Sequence, residues 1–508
     1  ASIGVVNAQE PDTQAPMETT ERPKKLFFGV FFDGTSNNMI QKSAAKKFKK
    51  ENSKISDDWE AEIITTNDET FKNGANQPHV EGAEYSNVAI LHSVYKAMSE
   101  EALKKERETF DVFIYNIYVE GAGTEAIYSG NWFEKGYNAR GSIAGKGDSG
   151  VARLVAKAVN MVRQRLNGIP VRLLPKTEVH FDVFGFSRGA TCARLFSYLA
   201  VRTGQNSLGC EEEFEDSAAK KYYEGDFLHF LDKLPLKSAT VDFLGIYDTV
   251  SSIGGLTTES YANNTTDYGL FSPSMPKVEN TFHLCAMDEF RAHFALTDIG
   301  DAANSNGNAE ILIPGCHSDV GGGYVTGDND FSLTKFARAP FLTLPMDCVD
   351  SRSVVTQPLN KQTLLDMGWI RDSDIYRESF DKTTVSVRRH VFSGYSNIPL
   401  KMMSIRTELK TKRTTFNSIP LRYRINMTTY GNVGTQLLSK AEKATGRQVY
   451  YPGGSYTSPT YVKLRQYLHF SAKNDIGFDP SYDGYLFCRY LYHGNQGDNT
   501  RHFLHEYT

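Results

Sequence analysis

The stretch TEVHFDVFGFSRGATCAR, residues 177–194, decides how this chain is read. Val179, Phe181, Val183 and Phe184 give its first half the alternating and then continuous apolar pattern of a buried strand. From Arg188 through Ala190, Ala193, Leu195 and Phe196 to Leu199 the spacing changes to that of a helix. Between the two lies Gly185-Phe186-Ser187-Arg188-Gly189, a G-x-S-x-G turn from strand to helix. Such a turn lifts one serine above the sheet, and the flanking glycines let backbone pass where a Cβ would clash. The new helix aims its first N–H groups at negative charge developing on that serine.

Working outward, the same alternation recurs. Residues 25–32 (KLFFGVFF) predict a central strand that ends in Asp33-Gly34-Thr35, small hydrogen-bonding backbone where open parallel sheets bind ligands. Ser86 caps a predicted helix over 86–98, and residues 110–118 predict a second strand. A helix is expected from a cap at Asp148-Ser149 to about Leu166. Residues 239–247 form another strand, ending at Asp248-Thr249-Val250. Residues 283–294 are expected to be helical, and 310–313 to be a short strand running into PGCHSDVGGGY at 314–324. Strands alternating with helices predict an α/β protein with a mainly parallel sheet flanked by helices.

Composition narrows the functions. A chain of 508 residues with 40% apolar and 12% aromatic residues can bury a large core. A formal charge of −4 offers no global attraction to nucleic acid. Six scattered cysteines lack the spacing of a zinc site or a disulfide framework. No run approaches the roughly 18 apolar residues of a membrane span. Residues 1–24 are expected to be a disordered lead-in without the basic start and apolar centre of a secretory signal, which predicts synthesis in the cytoplasm without cleavage. Residues 25–335 are expected to be catalytic and 336–508 a C-terminal cap or appended region. Its arginines and lysines (Arg406, Lys410, Lys412, Arg413, Arg422, Arg424) are read as solvated.

A serine hydroxyl needs a base to take its proton and a third group to orient that base. Of twelve histidines, His317 is the strongest candidate, because it follows a strand and a Pro-Gly turn and precedes Gly321-Gly322-Gly323. His283 and His293 are read as ordinary helix residues. Asp248, at a strand end between serine and histidine in sequence, is preferred as the acid over Asp319, two residues from His317. The oxyanion donors are expected to be the backbone N–H of Arg188 and that of Gly34 or Thr35, with Asp33, Gly185, Gly189 and Asp319 supporting the site. No metal or other cofactor is required by this set.

FFDGT at 31–35, GFSRGA at 185–190, GIYDTV at 245–250 and PGCHSDVGGGY at 314–324, taken in order, resemble a family of α/β-hydrolase domains. Its best-known members are antibacterial phospholipase effectors of the bacterial type VI secretion system. The resemblance implies an α/β-hydrolase fold and a triad at Ser187, Asp248 and His317. It implies a phospholipase A acting on membrane glycerophospholipids in a rival cell's periplasm, delivered on a spike protein and neutralised by a cognate immunity protein. Loops 119–147 and 251–276, which mix glycine with apolar residues, are candidate lids. Competing readings are a soluble carboxylesterase with the same triad, a binding protein that has lost the chemistry, and a metal-dependent enzyme using Asp33, Asp319 and His317.

Overall fold

The structure is a computed structural model, and it describes residues 24–35, 37, 39, 85–99, 102–103, 111–122, 151–201, 234–251, 278–291, 294–305, 307–334, 361–380, 384–472 and 491–492. The predicted lids over 119–147 (beyond residue 122) and 251–276 (beyond residue 251), the lead-in before residue 24, the Asp148-Ser149 cap and His293 lie outside the described residues.

Strand β1 (Lys24–Phe32) is buried along most of its length and pairs in parallel on both sides. One neighbour is β2 (Val112–Val119) and the other β3 (Thr177–Phe186). The sheet continues through β4 (Ser238–Tyr247), β5 (Thr281–Ala286), β7 (Ala309–Ile313) and β11 (Gly446–Val449), giving seven parallel strands in the order β11-β7-β5-β4-β3-β1-β2. The intervening β6 (Leu296–Thr297) belongs to a separate two-stranded ladder. The fold is therefore α/β with a parallel sheet flanked by helices. Continuous apolar runs in β1 and β3 follow from burial on both faces. Phe28, Val30 and Phe32 join one core with Val179, Phe181 and Val183, while Phe31, Phe184 and Phe186 join the other.

Helix α1 (Asn87–Val94) begins at Ser86, whose hydroxyl accepts the Ala89 N–H, and lies on the Phe31 face. Helices α2 (Val151–Leu166) and α3 (Arg188–Val201) cover the Phe32 face. The chain moves from β1 outward to β2, then returns to β3 and continues the other way. That reversal opens a crevice at the carboxyl ends of β1 and β3, where open parallel sheets bind ligands. Asp33, Ser187 and Asp248 directly follow the ends of β1, β3 and β4, and His317 lies a few residues beyond β7.

Two expectations are corrected here. Residues 281–286, partly expected as helix, form β5, because all six are buried in the slot between β4 and β7. A short run that is buried throughout and mostly apolar cannot be assigned to helix or strand by periodicity. The basic segment is also not wholly solvated. Arg406, in α5 (Asn397–Thr411), is buried and donates to the carbonyls of Ala441, Glu442 and Gly307. Arg413 donates to Asp182 at 2.8 Å and Asp242 at 3.1 Å. Lys412, Arg422 and Arg424 are exposed. The region beyond residue 335 thus supplies an edge strand and a packed helix to the main sheet, and β10 (Thr384–Val391) to an antiparallel three-stranded sheet with β8 (Gly327–Thr334) and β9 (Ile375–Glu378).

Candidate active site

Ser187 occupies the single residue between β3 and α3 with φ at +59°. An L-residue in that conformation costs roughly 1–3 kcal/mol, and such strain gathers at functional positions. Among the described residues three non-glycines have positive φ, and Asp248, at +45°, is another. The third, Lys412, is a helix C-cap. Both flanking glycines of the turn are sterically demanded. A Cβ on Gly185 would lie 2.3 Å from the Gly189 carbonyl oxygen. One on Gly189 would lie 2.3 Å from the Asp33 oxygen and 2.4 Å from that of Phe32, so the start of α3 is packed onto the end of β1.

His317 opens a one-turn helix, α4 (His317–Gly321), in a segment expected to be loop. Its Nδ1 lies 2.6 Å from Oδ2 of Asp248, and both side chains are buried. The other Asp248 oxygen accepts the Ala286 N–H at 2.7 Å. The carboxylate can therefore hold Nδ1 protonated and leave Nε2 as the basic nitrogen. The ring packs 4.5 Å from Phe186, the residue before Ser187, and edge-on to Phe294 at 4.9 Å. A Cβ on Gly321 or Gly34 would enter the Phe186 ring, so that ring is what brings the three strand-end loops together. Burial pushes the His317 pKa below its ordinary 6.5, against the opposing pull of Asp248.

Asp319, the rival acid, is turned away from the imidazole. Its carboxylate accepts from Cys316 N at 3.1 Å and lies 2.7 Å from His469 Nδ1. Asp33 accepts from Gly34 N at 2.8 Å, from the Ser86 hydroxyl at 2.5 Å and from Tyr118 at 2.5 Å. Its carboxylate shapes the loop after β1 rather than facing His317. Among the described residues, Asp33, Asp319 and His317 do not bring their ligand atoms within 4.8 Å of one another, as sharing an ion would need. The same geometry directs the Gly34 N–H into the Asp33 carboxylate, which favours Thr35 of the two expected oxyanion donors. The Arg188 guanidinium donates to the Thr35 hydroxyl at 3.2 Å and is buried, which lowers its pKa to about 10.

Several residues of the site had no signal in the sequence reading. Glu289 accepts the His317 backbone N–H at 3.2 Å and binds Arg291 through both oxygens. Arg291 in turn stacks on the Phe294 ring. Behind Asp248, the Thr249 N–H donates to Nε2 of His283 at 3.1 Å, and Nδ1 of His283 faces Glu310 at 2.9 Å. His283, Cys285 and Glu310 lie close enough to share an ion. Both imidazole nitrogens are engaged, however: Nε2 accepts a backbone proton, so Nδ1 carries the hydrogen given to Glu310. This buried pair braces the Asp248 loop. Asp288 and Glu289 would have been visible as a strand-end pair had 281–286 been read as a strand.

A family model described as the type VI secretion system phospholipase effector Tle1-like catalytic domain matches residues 62–343. Among solved structures, the chain is similar to a Tle1 effector bound to the VgrG spike of a type VI secretion system, at 16% identity and a TM-score of 0.47, over 93% of this chain and 94% of that one. It is also similar to an uncharacterized protein from Pseudomonas aeruginosa, at 15% identity and a TM-score of 0.34, over 84% of this chain and 52% of that one. Comparison with curated proteins gives no match.

Proposed function

The chain belongs to the Tle1-like phospholipase effectors of type VI secretion, whose catalytic-domain model spans more than half of it, and within that family we propose that it is a serine lipase of the phospholipase A type. The observation that carries the proposal is the 2.6 Å bond between Asp248 and His317, whose ring packs on Phe186, the residue before a serine held at positive φ on a helix N-terminus. Nε2 of His317 takes the Ser187 proton as Oγ attacks an acyl ester carbonyl. The backbone N–H groups of Arg188 and Thr35 hold the oxyanion, the Gly34 N–H being given to Asp33. His317 then passes its proton to the departing alcohol, leaving Ser187 acylated. A water that gives its proton to His317 releases the fatty acid and restores the serine.

The family supports delivery on a type VI spike protein into a rival cell's periplasm, and neutralisation by an immunity protein follows from that role. These partners belong to the proposal. The deciding experiment measures fatty-acid release from phosphatidylethanolamine–phosphatidylglycerol vesicles with divalent ions chelated. The intact protein is expected to release fatty acid and Ser187→Ala to release none. Cleavage of a short soluble ester through Ser187 without release from vesicles would reduce the protein to a soluble esterase. Release by Ser187→Ala would remove the serine mechanism.

A further inference from the structure

Three consecutive backbone N–H groups lead into the catalytic-site histidine, and each donates to a different buried carboxylate. Gly315 N–H reaches Asp288 at 2.8 Å, Cys316 N–H reaches Asp319 at 3.1 Å, and His317 N–H reaches Glu289 at 3.2 Å. Each carboxylate is held from its far side by the C-terminal part of the chain. Asp288 accepts from the hydroxyls of Tyr456 at 3.1 Å and Tyr461 at 2.7 Å. Asp319 accepts the His469 N–H at 2.9 Å and faces His469 Nδ1 at 2.7 Å. The Ser471 hydroxyl lies 2.9 Å from both oxygens of Glu289. Between the last two, Phe470 exchanges backbone bonds with the Asn329 side chain, which fixes the register of residues 469–471.

We infer that residues 456–471 are a positioning clamp for His317, so that the catalytic unit of this chain extends well past residue 343, where the match to the catalytic-domain model ends. The inference rests on the triad reading above. In the proposed reaction His317 must keep Nδ1 on Asp248 while Nε2 reaches Ser187, and its ring direction is set by the backbone of 315–317. Buried carboxylates hold a backbone only if their remaining lone pairs are satisfied. Here Tyr456, Tyr461, His469 and Ser471 supply those donors. Removing one leaves a buried lone pair unmet on the C-terminal side, with Glu289, in the case of Ser471, then held by Arg291 and the His317 N–H, and the carboxylate and the segment it anchors shift. The four are positioning residues: they act on the reacting atoms through Asp288, Asp319 and Glu289.

The test uses the full chain and a fluorophosphonate probe that labels Ser187, with kcat and KM on a short ester as a second reading. Ser471→Ala and His469→Gln are expected to label roughly ten- to a hundredfold more slowly, the size of a small misplacement at a reacting centre. They lower kcat with KM and Tm close to the parent's, and Ser471→Thr, which keeps the hydroxyl, returns the rate. Parental labelling by both variants overturns the inference and leaves the triad standing. Slow labelling that tracks a lowered Tm, with Ser471→Thr no better than Ser471→Ala, overturns it in favour of a purely structural segment. A parent protein that does not label at Ser187 overturns the triad reading, and this inference falls with it.

Discussion

Asp248 faces the His317 imidazole from a backbone at φ +45°, placing Oδ2 2.6 Å from Nδ1 while Oδ1 holds the Ala286 N–H. The conformation is unusual for an aspartate and is sustained from behind by the Thr249–His283–Glu310 chain. The acid is thus positioned by two strands beyond its own.

Asp248→Asn is expected to keep the fold and lose the reaction. The amide oxygen can still accept from Ala286, and its NH2 group then faces Nδ1. His317 must accept there and carry its proton on Nε2, the wrong tautomer for a base. kcat on a short ester should fall roughly ten-thousand-fold with KM little changed. A loss under tenfold would show that Asp248 is not the orienting acid.

The pH dependence follows from burial of His317. Desolvation lowers its pKa from 6.5, the Asp248 bond and charge oppose that fall, Arg291 lowers it further and Glu289 raises it. The neutral ring is the base, so kcat/KM falls as pH falls through the folded value. The acid limb should have its midpoint below 6.5. Its contribution to stability has the same sign: the unfolded chain binds the proton more readily, so stability present above 6.5 is lost on acidification. A pH–rate profile with its acid midpoint above 6.5 would contradict the burial argument.

Ser187, Asp248 and His317 are legible as candidates because each follows a strand whose apolar pattern is plain, and because glycine is required where loops approach. The supporting carboxylates are not. Asp288 and Glu289 were hidden by a buried run that periodicity leaves ambiguous, and Asp319 meets His469 across 150 residues of chain. Sequence leaves the Gly34 N–H available, whereas the side chain of Asp33, one residue away, takes it. Arg406 and Arg413 looked solvated because a charge pattern carries no information about a carboxylate or carbonyl brought from a distant strand.

Gly189→Ala tests the packing of α3 on β1. Its methyl would lie 2.3 Å and 2.4 Å from two backbone oxygens, which cannot move without shifting β1. The expected cost is about 1–3 kcal/mol, read as a lower denaturation midpoint, and the displaced turn should slow labelling of Ser187. An unchanged midpoint would mean that the close approach is not maintained in solution.

Arg413→Gln separates stability from chemistry. Arg413 packs over Phe27 and bridges Asp182 and Asp242 on adjacent strands, far along the sheet from the strand ends that carry Ser187 and Asp248. Without the guanidinium, two carboxylates face one another with Asp182 fully buried. The expected loss is about 3 kcal/mol at neutral pH, with Ser187 labelling at the parental rate in the folded fraction. Burial already raises the Asp182 pKa, and losing Arg413 raises it further. The folded variant then holds a proton that the unfolded chain has shed, so its deficit grows as pH rises and shrinks as pH falls. Urea unfolding of parent and variant at pH 5 and pH 8 measures this directly. A deficit that is larger at pH 5 would place the origin of the instability somewhere other than the uncompensated carboxylates.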